Sequence, residues 1–456
     1  MEKGGKKFQE AASWLYSFSD LEDKEARTVS QFNLDKISSL LKLLDNPQQE
    51  QKIIHVAGTK GKGSTCAYIA NILTRCGYKT ALFQSPHLFS IRERFRINEK
   101  NISEKQFVEM TQKLQPAVAT MMKMQQEKPT VFDLMTALAF LFFRSQEAQV
   151  WVIETGLGGR LDSTNIVSPL VSVITKIGFD HTEVLGNTIA EIAAEKGGII
   201  KESRPVVLSR QSHTEAIQIM RRIAAAKHSS VYICGENTSY EDKGLYNWHR
   251  CAHFRINDTE TDLQLGMTAL YQLENVEAAL LTVFLLKNMG FTIRQTALSE
   301  AIADTHLDGR FTIVEKNDTA IILDGAHNAE AASALVQTLQ ERFKQQKPRV
   351  LLFGTNLDKD HKKMIELLGG FFHQVVFTQS DHIRAVPADI LCKSCQEAFP
   401  ERSLSLYAEA RLSIAFQKAL TMAHGGLLCV CGSLFTATQV LQLKDIKINR
   451  QDNFKN

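Results

Sequence analysis

Residues 53–65 read IIHVAGTKGKGST: an apolar run from Ile53 to Ala57, then three glycines and two lysines within seven residues, then Ser64-Thr65 opening a helical pattern. Glycines at 58, 61 and 63 remove Cβ atoms where a strand must turn sharply into a helix, so successive N–H groups can converge on an anion at the helix N-terminus. That is a phosphate cradle. Lys62 then stands beside the phosphates as a point charge, with the Ser64 or Thr65 hydroxyl near an accompanying Mg²⁺. The spacing departs from G-x-x-x-x-G-K-[ST]: Ala57-Gly58 replaces one glycine and Gly63 separates the lysine from Ser64. The alternative is a glycine-rich turn that binds nothing, but a lysine between glycines has no packing role.

Around this stretch, 456 residues exceed what one core usually holds, and two unequal domains are expected. With 44% hydrophobic and 23% charged residues and a net charge of +3, the chain has no general field to hold nucleic acid, so an anionic ligand must be bound locally. Met1 to Lys7 is charged and no apolar segment follows it, which argues against a secretory signal. The most apolar run, Ala137 to Phe143, is too short to span a bilayer and reads as a buried helix. The expectation is a cytoplasmic monomer with no membrane partner. Eight cysteines fit reduced, packed thiols. Cys392 with Cys395 and Cys429 with Cys431 have zinc-like spacing, but LLCVC at 427–431 reads as a buried strand.

In chain order, Phe8 to Phe18 and Leu34 to Leu44 carry apolar residues at helical spacing, the second with Asn33 as N-cap. Ser64 to Arg75 is a helix, and Lys79 to Gln84 is a strand leading to Ser85-Pro86-His87. Charges cluster between Leu88 and Glu104, as in a solvated loop or edge strand. Glu104 to Gln125 and Phe132 to Arg144 read as helices, the latter buried. Gln149 to Ile153 is the continuous apolar run of a parallel-sheet strand, ending at Glu154 and the loop TGLGGRLDSTN. Val171 to Thr175 leads to Gly178-Phe-Asp180-His181, and a helix with Glu191 to Lys196 ends at Gly197-Gly198. Two further strand–helix units run to Ile233, Tyr240 to Gly266 is polar and irregular, as in an excursion of short antiparallel strands, and Tyr271 to Asn288 is a long amphipathic helix. Strand and helix then alternate again: Phe311 to Lys316, Thr319 to Leu323 before Asp324-Gly-Ala-His327-Asn328, Arg349 to Phe353, Gln374 to Thr378 and Leu427 to Cys431. Polar residues and Gly309 place the boundary within Asp304 to Arg310, giving domains 1–303 and 304–456.

Taken in order, HVAGTKGKGST, SPHL, ETGLGGRLDSTN, DHTEVLG, AEKGGI and LDGAHN closely resemble the folylpolyglutamate synthase and dihydrofolate synthase family within the Mur ligases, from about Phe8 to Leu443. Lys60 stands where Asn is commoner, Asp133 where Glu is frequent, and Ala329 where Pro often follows His-Asn. The resemblance implies an α/β fold: a P-loop-containing Mur-ligase-like central domain, then a smaller Rossmann-like domain. It implies ATP-dependent addition of L-glutamate to dihydropteroate or reduced folates through an acyl phosphate. It places Gly58, Thr59, Gly61, Lys62, Gly63, Ser64, Thr65, Asn275, Arg310, Asp324 and His327 at the nucleotide. Ser85, Glu154 and His181 fall at Mg²⁺, and Thr130, Phe132 and Asp162 at the pterin. Lys196 would carry CO₂ as a carbamate and serve the metals, although a lysine near a helix C-terminus is ordinarily exposed and favourable to the dipole. Lys62, His181, Lys196, Arg310 and Asp324 are the expected catalytic set. Two other readings remain: a peptidoglycan Mur ligase, which would place a nucleotide-sugar domain before the P-loop, and a nucleotide switch without catalysis.

Overall fold

The 53–57 run is β1 (Ile53–Ala57), every residue buried, near the middle of an eight-stranded sheet in a computed structural model. The structure describes residues 4–18, 33–124, 126–246, 249–316, 318–357, 359–381, 384–398 and 405–443. The other strands of this sheet are β2 (Thr80–Phe83), β3 (Phe95–Ile97), β4 (Lys100–Asn101), β5 (Val150–Glu154), β6 (Val171–Ile174), β7 (Val206–Leu208) and β8 (Val231–Ile233). Their order is β4-β3-β2-β5-β1-β6-β7-β8. The strands from β2 to β8 in that order are parallel, and β3 and β4 add an antiparallel edge. β5 inserts between β2 and β1, whereas β6 joins the far side of β1. That reversal opens a crevice at the carboxyl ends of the strands.

Helices cover both faces, which is why β1 and β5 are buried along their whole length and do not alternate apolar with polar. On one face Lys6–Tyr16, Asp35–Lys42, Glu104–Lys123 and Val131–Ser145 pack together, with Phe8 edge-on to Phe107 at 5.2 Å and Phe143 edge-on to Trp151 at 5.5 Å. Asn33 Oδ1 accepts from the amides of Asp35 and Lys36 from one residue ahead of the N-cap, which is Leu34 and not Asn33 as the sequence suggests. Ser103 and Thr130 cap their helices reciprocally with Gln106 and Asp133.

Two expectations are corrected. The helix Gln272–Asn288 is not amphipathic: Gln272, Asn275, Glu277 and Thr282 are buried with its leucines, because it packs on the helix Lys62–Arg75 and also on β6 and β7. A helix covered on two sides shows no polar stripe. β8 is followed by no helix but by β9 (Thr238–Tyr246), β10 (His249–Ile256) and β11 (Thr259–Leu265), a three-stranded sheet where the sequence suggests an excursion of short strands.

The chain divides into two compact units, Met1–Gly244 with Cys251–Leu265 and Gln272–Thr305, and Leu245–Arg250 with Gly266–Tyr271 and His306–Asn456. Two short segments earlier in the chain thus join the second unit. That unit holds β12 (Thr312–Lys316), β13 (Thr319–Leu323), β14 (Arg349–Phe353), β15 (Gln374–Gln379), β16 (Ser405–Arg411) and β17 (Leu427–Cys431), in the order β12-β13-β17-β14-β15-β16. Only β12 runs antiparallel to its neighbour. Cys429 and Cys431 are buried inside β17. Burial raises the Cys429 thiol well above its ordinary range, as expected of a packed hydrophobe.

Candidate active site

Register decides what meets at the crevice of the first unit. Val56 pairs with Glu154 across β1 and β5, and Ala57 with Ile174 across β1 and β6, so the cradle, the TGLGGR loop and the KIGFDH loop leave the sheet side by side. Gly58 (φ 150°) and Gly61 (φ 85°) lie where L side chains are strained. A Cβ at Gly58 would stand 1.8 Å from Thr175 Oγ1, and one at Gly61 2.2 Å from Asn275 Oδ1. The amides of Thr59 and Lys60 both donate to the Lys176 carbonyl, and the Thr59 hydroxyl donates to Gly178 O while accepting from Gly178 N. Thr59 is therefore an anchor of the loop.

The helix begins at Lys62, earlier than its sequence pattern suggests. Gln84 Nε2 donates to Gly63 O at 2.7 Å, Gln272 Nε2 to Ser64 Oγ at 3.3 Å, and Asn275 Nδ2 to Gln272 Oε1 at 2.9 Å. Thr65 Oγ1 is buried and meets no hydrogen-bond partner. The ammonium groups of Lys62 and Lys196 both donate to the Gly58 carbonyl, at 3.1 and 3.0 Å. Lys196 is 3% exposed, which overturns the solvent-facing explanation of a lysine at a helix end. Burial, and then the charge of Lys62, lower it from 10.5 to about 7 against the pull of Asp180, Asp162 and Glu195.

Glu154 is buried at the end of β5, and its Oε2 accepts from the Ser85 amide at 3.3 Å. His181, with φ 51°, lies 3.9 Å from both Asp180 and Glu183 carboxylate oxygens. Among the described residues no three His, Cys, Asp or Glu side chains gather as a cage for a metal. Mg²⁺ does not require one, since it commonly takes one or two carboxylates and completes its shell with waters and phosphate oxygens. A single buried Glu154 with Ser85 beside it, next to a cradle holding an orphaned Thr65 hydroxyl, fits that ion.

On the other side of the same loop, the Phe132 ring lies against Gly156, where a Cβ would stand 2.5 Å from the ring, and stacks obliquely on Phe83 at 5.9 Å. The Thr130 hydroxyl donates to Asp133 Oδ2 and accepts from the Asp133 amide, while Ser163 Oγ donates to Asp133 Oδ1 at 2.6 Å. The shorter Asp133 is thus a cap and a tether. Asp162 Oδ2 accepts from Leu157 N, and Oδ1 accepts from the amide and hydroxyl of Thr164. Burial raises its carboxyl above the usual range while these bonds oppose the shift. Thr130 and Asp162 hold their own loops, and Asp162 keeps little free acceptor capacity.

Residues 56–283 match the Mur ligase middle domain and residues 309–434 the Mur ligase glutamate ligase domain. The dihydrofolate synthase/folylpolyglutamate synthase of Bacillus subtilis is 33% identical over 382 residues, covering 83% of this chain and 86% of its own. The chain belongs to the folylpolyglutamate and dihydrofolate synthase family of Mur ligases. The folylpolyglutamate synthase of Thermotoga maritima superposes with a TM-score of 0.82 at 32% identity, over 95% of this chain and 96% of that one. The Mycobacterium tuberculosis folylpolyglutamate synthase complexed with ADP gives 0.86 at 27% identity, over 97% and 99%. As a member of this ligase family the chain is an ATP-dependent enzyme.

In the second unit of this folylpolyglutamate synthase relative, Asp324 follows β13. Its Oδ2 accepts from the Tyr271 hydroxyl and the Phe311 amide, both at 2.9 Å, and its Oδ1 from Ala326 N at 2.8 Å. Burial raises its carboxyl, opposed by the Tyr271 bond and then the nearby Arg310 charge. His327 Nδ1 lies 2.8 Å from Gly325 O, so that nitrogen donates to the carbonyl.

Sequence reasoning missed Gln84, Thr175, Gln272 and His55. Gln272, one helical turn before Asn275, had the clearest signal. His55 is fully buried in β1, its Nε2 2.8 Å from Thr164 Oγ1 and its Nδ1 without a partner. Since Thr164 donates its hydroxyl proton to Asp162, the neutral ring must donate through Nε2. Burial, helped by the Lys201 charge, lowers His55 from 6.5 to about 3. An unfolded histidine takes up a proton below about 6.5 and this folded one only below about 3, so stability is lost as pH falls through that window. The loss approaches roughly 5 kcal/mol, at 1.4 kcal/mol per pH unit. Denaturant midpoints should therefore drop steeply from pH 6.5 downward in the native protein and less in His55→Gln, whose amide keeps the donor. Equal acid sensitivity in both would rule the histidine out as the cause.

Proposed function

We propose that this chain joins L-glutamate to dihydropteroate or to a reduced folate, with ATP activating the acceptor's carboxylate. The observation that supports this best is the register that brings the cradle, Glu154 and the buried Lys196 to one strand-end crevice. In the reaction a carboxylate oxygen attacks the γ-phosphorus of ATP, the bond to the β-phosphate oxygen breaks, and ADP leaves an acyl phosphate. The glutamate amine then attacks the acyl carbon, loses a proton and expels phosphate.

Cradle amides and the Lys62 ammonium would hold the phosphates and neutralise their charge. Asn275, fixed against Gly61, is read as a nucleotide contact, as are Arg310, Asp324 and His327 of the second unit. Glu154, Ser85, His181 and a carbamylated Lys196 would hold Mg²⁺, which when bound supplies charge neutralisation at the transferring phosphoryl group. Phe132 offers a ring face to a pterin and Asp162 its remaining lone pair. The eight free cysteines support a cytoplasmic setting, and the reaction as written needs one copy of the chain.

Supplying purified protein with ATP and glutamate, and with dihydropteroate or tetrahydrofolate separately, should yield a product heavier by one or more glutamyl residues, with ADP formed in step. ATP hydrolysis with no glutamyl adduct from either acceptor would discard this reading in favour of a nucleotide switch. Within it, Asp162→Ala should lower kcat/KM for the pterin substrate about 10- to 100-fold, matching the 1.5–3 kcal/mol of a charged hydrogen bond, while ADP affinity changes little. Equal loss of both would make Asp162 purely a loop holder.

A further inference from the structure

Two double-glycine segments interlock beside the catalytic crevice: Gly158-Gly159 in the loop after β5, and Gly197-Gly198 at the end of the helix Ile189–Gly197 that carries Lys196. A Cβ on Gly159 would stand 2.8 Å from Glu195 O and 3.0 Å from Lys196 Cα, and one on Gly198 would stand 2.4 Å from Arg160 Cα. Gly159 and Gly198 thereby let one backbone lie on the other. Arg160 N donates to Glu195 O at 2.7 Å, and the Arg160 guanidinium pairs with the Glu195 carboxylate at 2.8 Å. Arg160 is more than half exposed, so solvent screens that ion pair.

The contact is closed instead by a buried amide. Asn165 Nδ2 donates to Arg160 O at 3.0 Å on one segment and to Gly198 O at 3.1 Å on the other, and Lys201 Nζ donates to Asn165 O at 2.8 Å. Its Oδ1 is buried and meets no partner. The opposite amide orientation would aim Oδ1 at two carbonyl oxygens, so the donors are the part of Asn165 that matters.

We propose that Asn165 is a positioning residue for the ligase reaction: its two donors set the register of the helix end on the loop after Glu154, and thereby place Lys196 Nζ at the Gly58 carbonyl. The inference rests on the reading that Lys196 acts in the reaction. Lys196 follows Glu195, whose carbonyl is bonded to the loop, and precedes the Gly197-Gly198 pair clamped by Asn165. A slip at this junction moves the Nζ directly, whereas the cradle has separate anchors on Lys176 and Gly178.

Asn165→Asp is nearly isosteric but turns both donors into acceptors facing carbonyls, whereas Asn165→Ala removes the donors without adding charge. Positioning by those donors predicts kcat lower by about 100-fold in the Asp variant and about 10-fold in the Ala variant, on the scale by which a 1 Å misplacement slows catalysis. KM for ATP and ADP affinity by calorimetry should stay within about threefold of the parent, because the cradle is held independently. A residue that only fills space predicts the reverse order, with Asp near the parent and Ala worse. That order, parental kcat in both variants, or an equal fall of kcat and ADP affinity would each overturn the proposal. Lys196→Ala measured alongside separates the two readings: if it is fully active, the role of Lys196 fails and this inference with it. If it is inactive while both Asn165 variants are normal, the Asn165 inference fails alone.

Discussion

Glu154→Gln is expected to keep the fold and lose turnover by about 100- to 1,000-fold, roughly 3–4 kcal/mol of transition-state stabilisation. The amide has nearly the shape of the carboxylate, and β5 is held by backbone pairing to β1 and β2 that the substitution does not touch. What changes is charge. Glu154 is the buried carboxylate that closes β5 beside the cradle, with Gly63 set against it so that even a Cβ there would lie 3.6 Å from Oε2. An amide still has an oxygen to offer the Ser85 amide, but no net charge for Mg²⁺. The variant should therefore bind ADP as the parent does without Mg²⁺, and lose most of the tightening that Mg²⁺ brings. Parental turnover, or unchanged Mg²⁺ dependence of nucleotide binding, would remove Glu154 from the metal site.

Contacts that require glycine show themselves in a sequence, and this is why the crevice could be read from the residues. Gly58 and Gly61 are needed because Thr175 and Asn275 press on the cradle, and Gly159 and Gly198 because two backbones touch. The partners themselves were not readable. Gln84, Thr175 and Gln272 reach the cradle from distant parts of the chain, and nothing local marks a glutamine that will donate to a loop carbonyl. Phe132 illustrates a different limit: helical periodicity assigns it to the core, and only the fold shows its ring on Gly156. The helix Gln272–Asn288 was misread because periodicity assumes one buried face, whereas this helix has neighbours on two sides. β16 was missed for the opposite reason, being an edge strand with most side chains exposed. Asp162 and Thr130 stand in motifs that the resemblance assigns to a substrate, yet their polar atoms are largely committed to their own loops, a burden that motif matching does not reveal.

Lys196→Ala is expected to be nearly inactive, with turnover lower by about 1,000-fold or more, the scale of losing a preorganised charged group at a phosphoryl-transfer site. Two ammonium groups donating to one carbonyl repel each other, and burial adds to the cost of the charge on Lys196. The neutral amine is therefore well populated near pH 7. A neutral amine can add CO₂: the nitrogen lone pair forms the C–N bond, one proton leaves, and an anionic carbamate takes the place of a cation. Such an oxygen ligand would relieve the repulsion from Lys62 and add to the negative charge that Glu154 offers Mg²⁺. Since the adduct forms from the neutral amine, loading should rise as pH increases through about 7 and fall below it. Protein prepared with ¹³CO₂ should show a carbamate carbon that is missing from Lys196→Ala. Acetate or formate should partly restore turnover to that variant by placing an oxygen where the carbamate stood. A fully active alanine variant, or a map with nucleotide and metal bound around a bare ammonium, would contradict the assignment. An inactive variant that no small carboxylate improves, in a parent lacking the ¹³C signal, would leave Lys196 as a hydrogen-bond donor to the cradle and not a carbamate.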